Sequence, residues 1–107
     1  MTTWQDISVD GFGPISKVVA TYQIGPPLSA LPFASFKVKV IQRSEDDFLA
    51  VPNVALRDGD GNPDWLAGLG SSSDAALADL LRELADAIQG SSGLDESSFE
   101  WADPHDF

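Results

Sequence analysis

Apolar and polar positions alternate in two stretches of the N-terminal half of this chain and recur at helical spacing in one stretch of the C-terminal half. Val18, Ala20, Tyr22 and Ile24 interleave with Val19, Thr21 and Gln23, the period-two signature of a half-buried strand. The turn-forming residues 25–32 interrupt the pattern. Phe36, Val38 and Val40 then alternate with Lys37 and Lys39, which sends one face of a second strand into a core and leaves two lysines on the other. The polar residues 43–47 predict a hairpin turn, and Phe48 opens a return strand that Pro52 ends or confines to an edge. A short earlier strand around Ile7 and Val9 is also expected, stopped by Gly11, Gly13 and Pro14.

The strongest periodicity belongs to a helix over residues 74–89. Leu77, Leu80, Leu81, Leu84 and Ile88 fall on one face, while Asp79, Arg82, Glu83 and Asp86 fall on the other. A serine among Ser71, Ser72 and Ser73 is placed to cap its start, Asp74 suits the positive end of the helix dipole, and Gly90 stands where a left-handed C-terminal residue is expected. The leucine stripe lasts about two heptads, too short for a coiled coil, so it is expected to pack on the sheet. Before the helix lie a polar loop over residues 57–64, an apolar stretch over 65–69 and a break at 70–73. After it, residues 91–107 form an acidic, aromatic tail. Its Leu94, Phe99, Trp101 and Phe107 either fold back on the sheet or present an exposed recognition segment, and the cost of exposing large apolar side chains favours packing.

These elements predict an α+β fold, an antiparallel sheet of three to five strands packed on one amphipathic helix. The length of 107 residues suits one domain over residues 1–107, and an apolar fraction of 43% with ten aromatic residues supplies its core. The N-terminus has neither the basic start nor the apolar run of a signal peptide, and no apolar run reaches membrane-spanning length. Without cysteine there is no disulfide framework or thiolate chemistry, which fits a reducing compartment. A cytoplasmic location is expected.

Charge changes this picture most. The chain carries 17 acids and 6 bases, a formal net charge of -11; residues 1–44 hold 2 acids and 4 bases, which leaves 15 acids and 2 bases for the rest. Such a field repels nucleic acid and anionic membranes, and it attracts cationic partners. Acidity also confers solubility with no partner at all.

Chemistry for catalysis is scarce. His105 is the only histidine and lies in the tail, no nucleophile elbow, phosphate-binding glycine loop or HExxH pattern occurs, and adjacent acids such as Asp46 and Asp47 point apart. The chain is therefore not expected to be an enzyme, and no cofactor is implied. Asp58, Asp60, Asn62 and Asp64 occupy alternate positions, as oxygen ligands do in calcium loops. Pro63 stands where such a loop needs glycine and Leu69 where it needs a bidentate glutamate, so no metal site is assigned and the segment reads as a charged turn.

Residues 36–56 followed by 65–88 resemble the HicB-like antitoxin domain. Phe48, Ala50 and Pro52 match its second hairpin strand, Gly70 the end of its third strand, and residues 74–88 its helix. The chain differs at Asn53, Val54 and Ala55, in an acidic loop before Trp65, and in having no DNA-binding segment after the helix. The resemblance implies a small α+β sheet on one helix, in a family whose members bind and silence an RNA-cleaving toxin.

Two classes of function follow. In the first, the chain is a protein inhibitor of antitoxin, immunity or phage anti-defence type, anti-CRISPR proteins included. It would bind a basic partner such as a nuclease, by carboxylates that imitate backbone phosphates. Asp58, Asp60, Asp64, Asp79, Glu83 and Asp86, with Trp101 beside them, are the candidate partner-binding residues. In the second, it is a housekeeping acidic accessory domain that docks through its aromatic tail or a sheet edge. Neither reading involves direct binding of nucleic acid or membrane, and a homodimer is left open.

Overall fold

The period-two segments and the leucine-rich segment meet in a single core. In the computed structural model, which describes residues 3–25, 32–91 and 93–107, strands β1 (Lys17–Ile24), β2 (Phe36–Ser44), β3 (Asp47–Pro52) and β6 (Gly68–Gly70) form one antiparallel sheet in the order β1-β2-β3-β6. Helix α1 (Ser73–Gln89) packs on one face of it, mainly against β6 and β3. Strands β4 (Val54–Arg57), β5 (Pro63–Asp64) and β7 (Phe99–Trp101) make a second, three-stranded sheet in the order β5-β4-β7. The expected α+β fold of an antiparallel sheet on one helix is thus observed, with a small second sheet added. The interruption expected at residues 25–32 falls mostly on 26–31, outside the described residues.

Alternation determines what each strand buries. Phe36, Val38 and Val40 point toward the helix and are buried with Ala50, Ala76, Leu80, Leu84 and Ile88, while Lys37, Lys39 and Ile41 take the helix-free face. The helix stripe is Ala76, Leu80, Leu84 and Ile88 at strict i, i+4 spacing; Leu77 and Leu81 are only half-buried at its margin. Gly68 and Gly70 explain how the helix comes so close. A Cβ on Gly68 would stand 2.3 Å from the Ala76 carbonyl oxygen, and one on Gly70 would stand 2.5 Å from the Ala76 nitrogen. Strand β6 therefore touches the helix backbone itself.

The turn between β2 and β3 is tighter than the polar run suggested, only Glu45 and Asp46, with Ser44 paired to Asp47. Pro52 is the last residue of β3, as expected. It pairs with Val38 beyond the reach of β6, whose ladder on β3 covers only Phe48 to Ala50, so its missing N–H falls where β3 has a neighbour on one side alone. The chain then steps from one sheet to the other at Asn53. Its N–H donates to the Lys37 carbonyl and its side-chain oxygen accepts from the Lys37 N–H, both at 2.9 Å, while its carbonyl accepts from the Ala102 N–H at 2.8 Å.

Two helix-end expectations separate. Ser72 is the N-cap, its hydroxyl accepting from the Ala75 N–H at 3.1 Å. Gly90 is right-handed, with φ of -78°, rather than left-handed: its N–H still bonds the Asp86 carbonyl, and the Ser91 hydroxyl takes over the Ala87 carbonyl at 2.9 Å, which removes the need for a left-handed cap. The strand expected at Ile7 and Val9 does not form. Residues 3–16 contain a single 3-10 turn (Trp4–Asp6) and no buried residue, having no sheet neighbour to pair with. The tail packs: Phe99 is buried, and β7 pairs with β4 at Val54, Ala55 and Leu56. No helix among the described residues is long and apolar enough to cross a membrane.

Candidate partner-binding surface

The acidic loop is the turn of the β4–β5 hairpin, in which Leu56 pairs with Asp64 and Arg57 with Pro63. Asp58 directs its carboxylate inward: one oxygen accepts from the Asp60 N–H at 2.9 Å and from the Asn62 N–H at 3.0 Å. The Asp58 N–H donates to the Asn62 carbonyl at 2.8 Å, Gly61 supplies the left-handed residue at φ +83°, and Arg57 donates to the Gly61 carbonyl at 3.1 Å. Asp58 is thus a turn residue as much as a surface charge. Asp60 and Asp64 are exposed and free to face a partner. Of the residues whose alternation resembles a calcium loop, Asp58 serves the turn, and no group of three or more His, Cys, Asp or Glu side chains that could hold a metal occurs among the described residues.

Asp79, Glu83 and Asp86 follow one another at i, i+4 and i+7, which stacks them along one strip of α1. Glu83 and Asp86 are exposed; Asp79 is half-buried, and its carboxylate accepts from the Leu69 N–H of β6 at 3.0 Å. Asp79 therefore satisfies a backbone donor on the edge strand of the main sheet. The helix strip belongs to α1, which packs on the main sheet, and the loop belongs to the second sheet, so the six candidate acids are carried by two different elements.

Trp101 belongs to neither group. It pairs with Val54 in β7, is 46% exposed, and meets Phe33 edge-on at 5.0 Å, while Phe33 also contacts Phe99 at 5.1 Å and Phe36 at 6.3 Å. Pro32, Phe33, Glu96, Phe99 and Trp101 line a shallow groove. Phe33 stood outside any predicted element; its neighbour Phe36 and the tail aromatics were the signal that an aromatic cluster would need it. Just before β7, Asp95 accepts from the Ser97 hydroxyl, from the Ser97 N–H at 2.9 Å and from the Ser98 hydroxyl at 3.4 Å. These bonds, the Ser97 hydroxyl foremost, hold its carboxyl below the ordinary range although it is fully exposed.

Ion pairing leaves most of the acidity free. The two ion pairs among the described residues are Arg43 with Asp47 at 2.8 Å and Arg57 with Glu100 at 3.3 Å. None of Asp58, Asp60, Asp64, Asp79, Glu83 and Asp86 pairs with a base. Three of the six bases, Lys37, Lys39 and Arg43, lie on the helix-free face of β2, while Arg57 and Arg82 stand in the hairpin and the helix that carry the candidate acids. No family model, no curated protein and no solved structure matches this chain.

Proposed function

We propose that the chain is a small acidic inhibitor that binds and blocks a nucleic-acid-handling protein, of antitoxin, immunity or phage anti-defence type, through carboxylates that stand in for backbone phosphates. Unneutralised acidity carries this reading: among the described residues only Asp47 and Glu100 of the 17 acids have an ionic partner, so the helix strip and the hairpin turn project a negative field. A cationic groove shaped for nucleic acid supplies the complementary field, and binding by such a surface weakens as salt rises. The order of hairpin β2–β3, short strand β6 ending at Gly70 and helix α1 supports the HicB-like comparison as well. The chemistry is recognition at a protein surface, with no cofactor. The test is affinity capture of the partner from a host lysate, then binding across a salt series with nucleic acid as competitor. Binding that is indifferent to both would remove the reading.

A second reading rests on Trp101. Its exposed ring beside Phe33 and the adjoining groove would suit an apolar anchor of a partner, as in an accessory domain that docks through its tail. Salt-insensitive binding abolished by Trp101→Ala would favour it.

A further inference from the structure

Three aspartates are followed directly by glycine: Asp10 by Gly11 in the N-terminal segment, and Asp58 by Gly59 and Asp60 by Gly61 in the β4–β5 turn. That pairing has a chemistry of its own. An aspartate carboxyl carbon lies within reach of the next residue's backbone nitrogen, and closure between them gives a five-membered imide. A side chain on the following residue crowds that nitrogen, whereas glycine has none. Closure asks two further things of the fold: the nitrogen must not be held through its N–H, and the carboxyl group must be free to turn toward it.

The structure separates the three pairs on those two conditions. Before Gly59 the carboxylate is held, since one Asp58 oxygen accepts from the Asp60 and Asn62 N–H groups at 2.9 and 3.0 Å. After Asp60 the nitrogen is held, its N–H donating to the Asp58 carbonyl at 3.0 Å. At Asp10 and Gly11 neither is held. The Asp10 carboxylate and the Gly11 N–H make no hydrogen bond or ion pair among the described residues, and nothing stands within 4 Å of where a Gly11 Cβ would be. The surroundings are equally open: residues 3–16 contain no buried residue, and the turn is closed by the Phe12 N–H on the Val9 carbonyl at 3.2 Å. Gly11 has a φ of +94° and Asp10 no positive φ, the pattern of a type II turn, whose central peptide turns over readily where nothing packs on it.

We infer that Asp10 is a site of spontaneous isomerisation to isoaspartate, with water as the sole co-reactant. The Gly11 nitrogen bonds to the Asp10 side-chain carboxyl carbon. A carboxyl oxygen leaves as water, taking the amide proton and the carboxyl's own, and an imide ring remains. Water then adds to one of the two ring carbonyls. Addition at the side-chain carbonyl breaks the new C–N bond and restores aspartate; addition at the main-chain carbonyl breaks the original peptide bond and leaves the chain running through the side chain. Composition and net charge are unchanged, and the backbone is longer by one methylene. The ring closed by the hydrogen bond between Val9 and Phe12 grows accordingly, so the turn is lost, while β1 begins only at Lys17 and keeps its pairing with β2. Asp58 and Asp60 are spared by the same hydrogen bonds that shape their turn.

Incubation of the full chain for several weeks in heavy-oxygen water at neutral pH tests this, because each ring opening installs one heavy oxygen. Trypsin then cuts after Lys17 and Arg57 and delivers Asp10 apart from Asp58 and Asp60, and electron-transfer fragmentation tells isoaspartate from aspartate. In the folded chain isoaspartate should accumulate at Asp10 at least about fivefold faster than at Asp58 or Asp60, whereas in urea, where no turn is held, the three rates should agree within about twofold. Asp10→Glu keeps the charge, and its larger ring forms far more slowly, so the first peptide should then lack the product. Three outcomes overturn the inference: no isoaspartate at Asp10, conversion of Asp58 or Asp60 as fast as Asp10 in the folded chain, or a folded-chain ranking that survives in urea.

Discussion

Gly68 lies against Leu80 so closely that a Cβ on the glycine would stand 2.4 Å from the leucine's backbone nitrogen and 2.7 Å from its Cβ. The contact is strand backbone on helix backbone, with no flexible side-chain end to yield. Gly68→Ala should therefore push α1 off β6 and cost about 2 kcal/mol, the usual scale for overpacking a close contact. For a domain of this size that lowers the melting temperature by roughly 10 °C. Gly59→Ala is the control: nothing lies within 4 Å of its Cβ position, and its melting temperature should hold or rise slightly.

Asn53 does with its side chain what the next strand residue would do with its backbone. Losing the bond to the Lys37 N–H in Asn53→Ala should cost about 1 kcal/mol and hasten hydrogen exchange at the Lys37 amide. Asn53→Asp retains an acceptor at the same place and should protect that amide far better than alanine does. Equal exchange in the two variants would show that the side-chain oxygen is not what joins the sheets.

Legibility in the sequence followed the locality of each cause. Helix α1 was readable because Leu80, Leu84 and Ile88 repeat at the helical period; the fourth member of the buried row, Ala76, was missed because alanine carries too little bulk to mark a face. Periodicity did not mark strand β6, which only the HicB-like resemblance placed by its end at Gly70, since Gly68 and Gly70 are demanded by a helix that arrives later in the chain, and locally they look like a turn. Strand β4 was missed for a related reason: four residues after a proline become a strand only because β7, more than forty residues on, pairs with them. The acids of the site were legible by count and position. Their differing employment was not, because Asp58 and Asp79 hold backbone N–H groups that only the folded chain brings to them.

That difference is measurable in the hairpin turn. Asp58→Ala removes the acceptor for two N–H groups and should destabilise by about 1 kcal/mol, whereas Asp60→Ala, whose carboxylate bonds to nothing among the described residues, should stay within about 0.5 kcal/mol of wild type. Calcium added to the wild type should give no saturable rise in melting temperature. Equal stability in the two variants would dismiss the turn role of Asp58.

Asp95 should titrate below the ordinary carboxylate range, and Ser97→Ala should bring its midpoint up, because the Ser97 hydroxyl is the chief group holding the charged form. The sign of the linked stability follows. A carboxyl depressed in the folded state contributes stability that is present above its unfolded pKa and is lost as pH falls through the folded value. Carbon-detected NMR titration of wild type and Ser97→Ala checks this, and identical midpoints would refute it.

The acidic surface is best tested at the carboxylates that hold no other part of the fold. Asp58 and Asp79 are excluded because each satisfies a backbone donor; the carboxylates of Asp60, Asp64, Glu83 and Asp86 make no hydrogen bond or ion pair among the described residues. Converting these four to Asn or Gln removes four charges, two from the hairpin and two from the helix, and should leave the melting temperature within about 3 °C of wild type. Against the captured partner, association should slow at least tenfold at low ionic strength, with a smaller difference near the physiological range, where exposed charges are screened over about 8 Å. Single substitutions should change little, because a lone rim charge contributes at most about 1 kcal/mol. Lys37→Gln is the opposing control. Its ammonium lies on the helix-free face, away from Glu83 and Asp86, and its loss makes the chain more acidic, so association should hold or quicken. If the fourfold variant associates as fast as wild type at every salt concentration, phosphate mimicry by this surface is wrong, and Trp101 with its groove becomes the surface to mutate next.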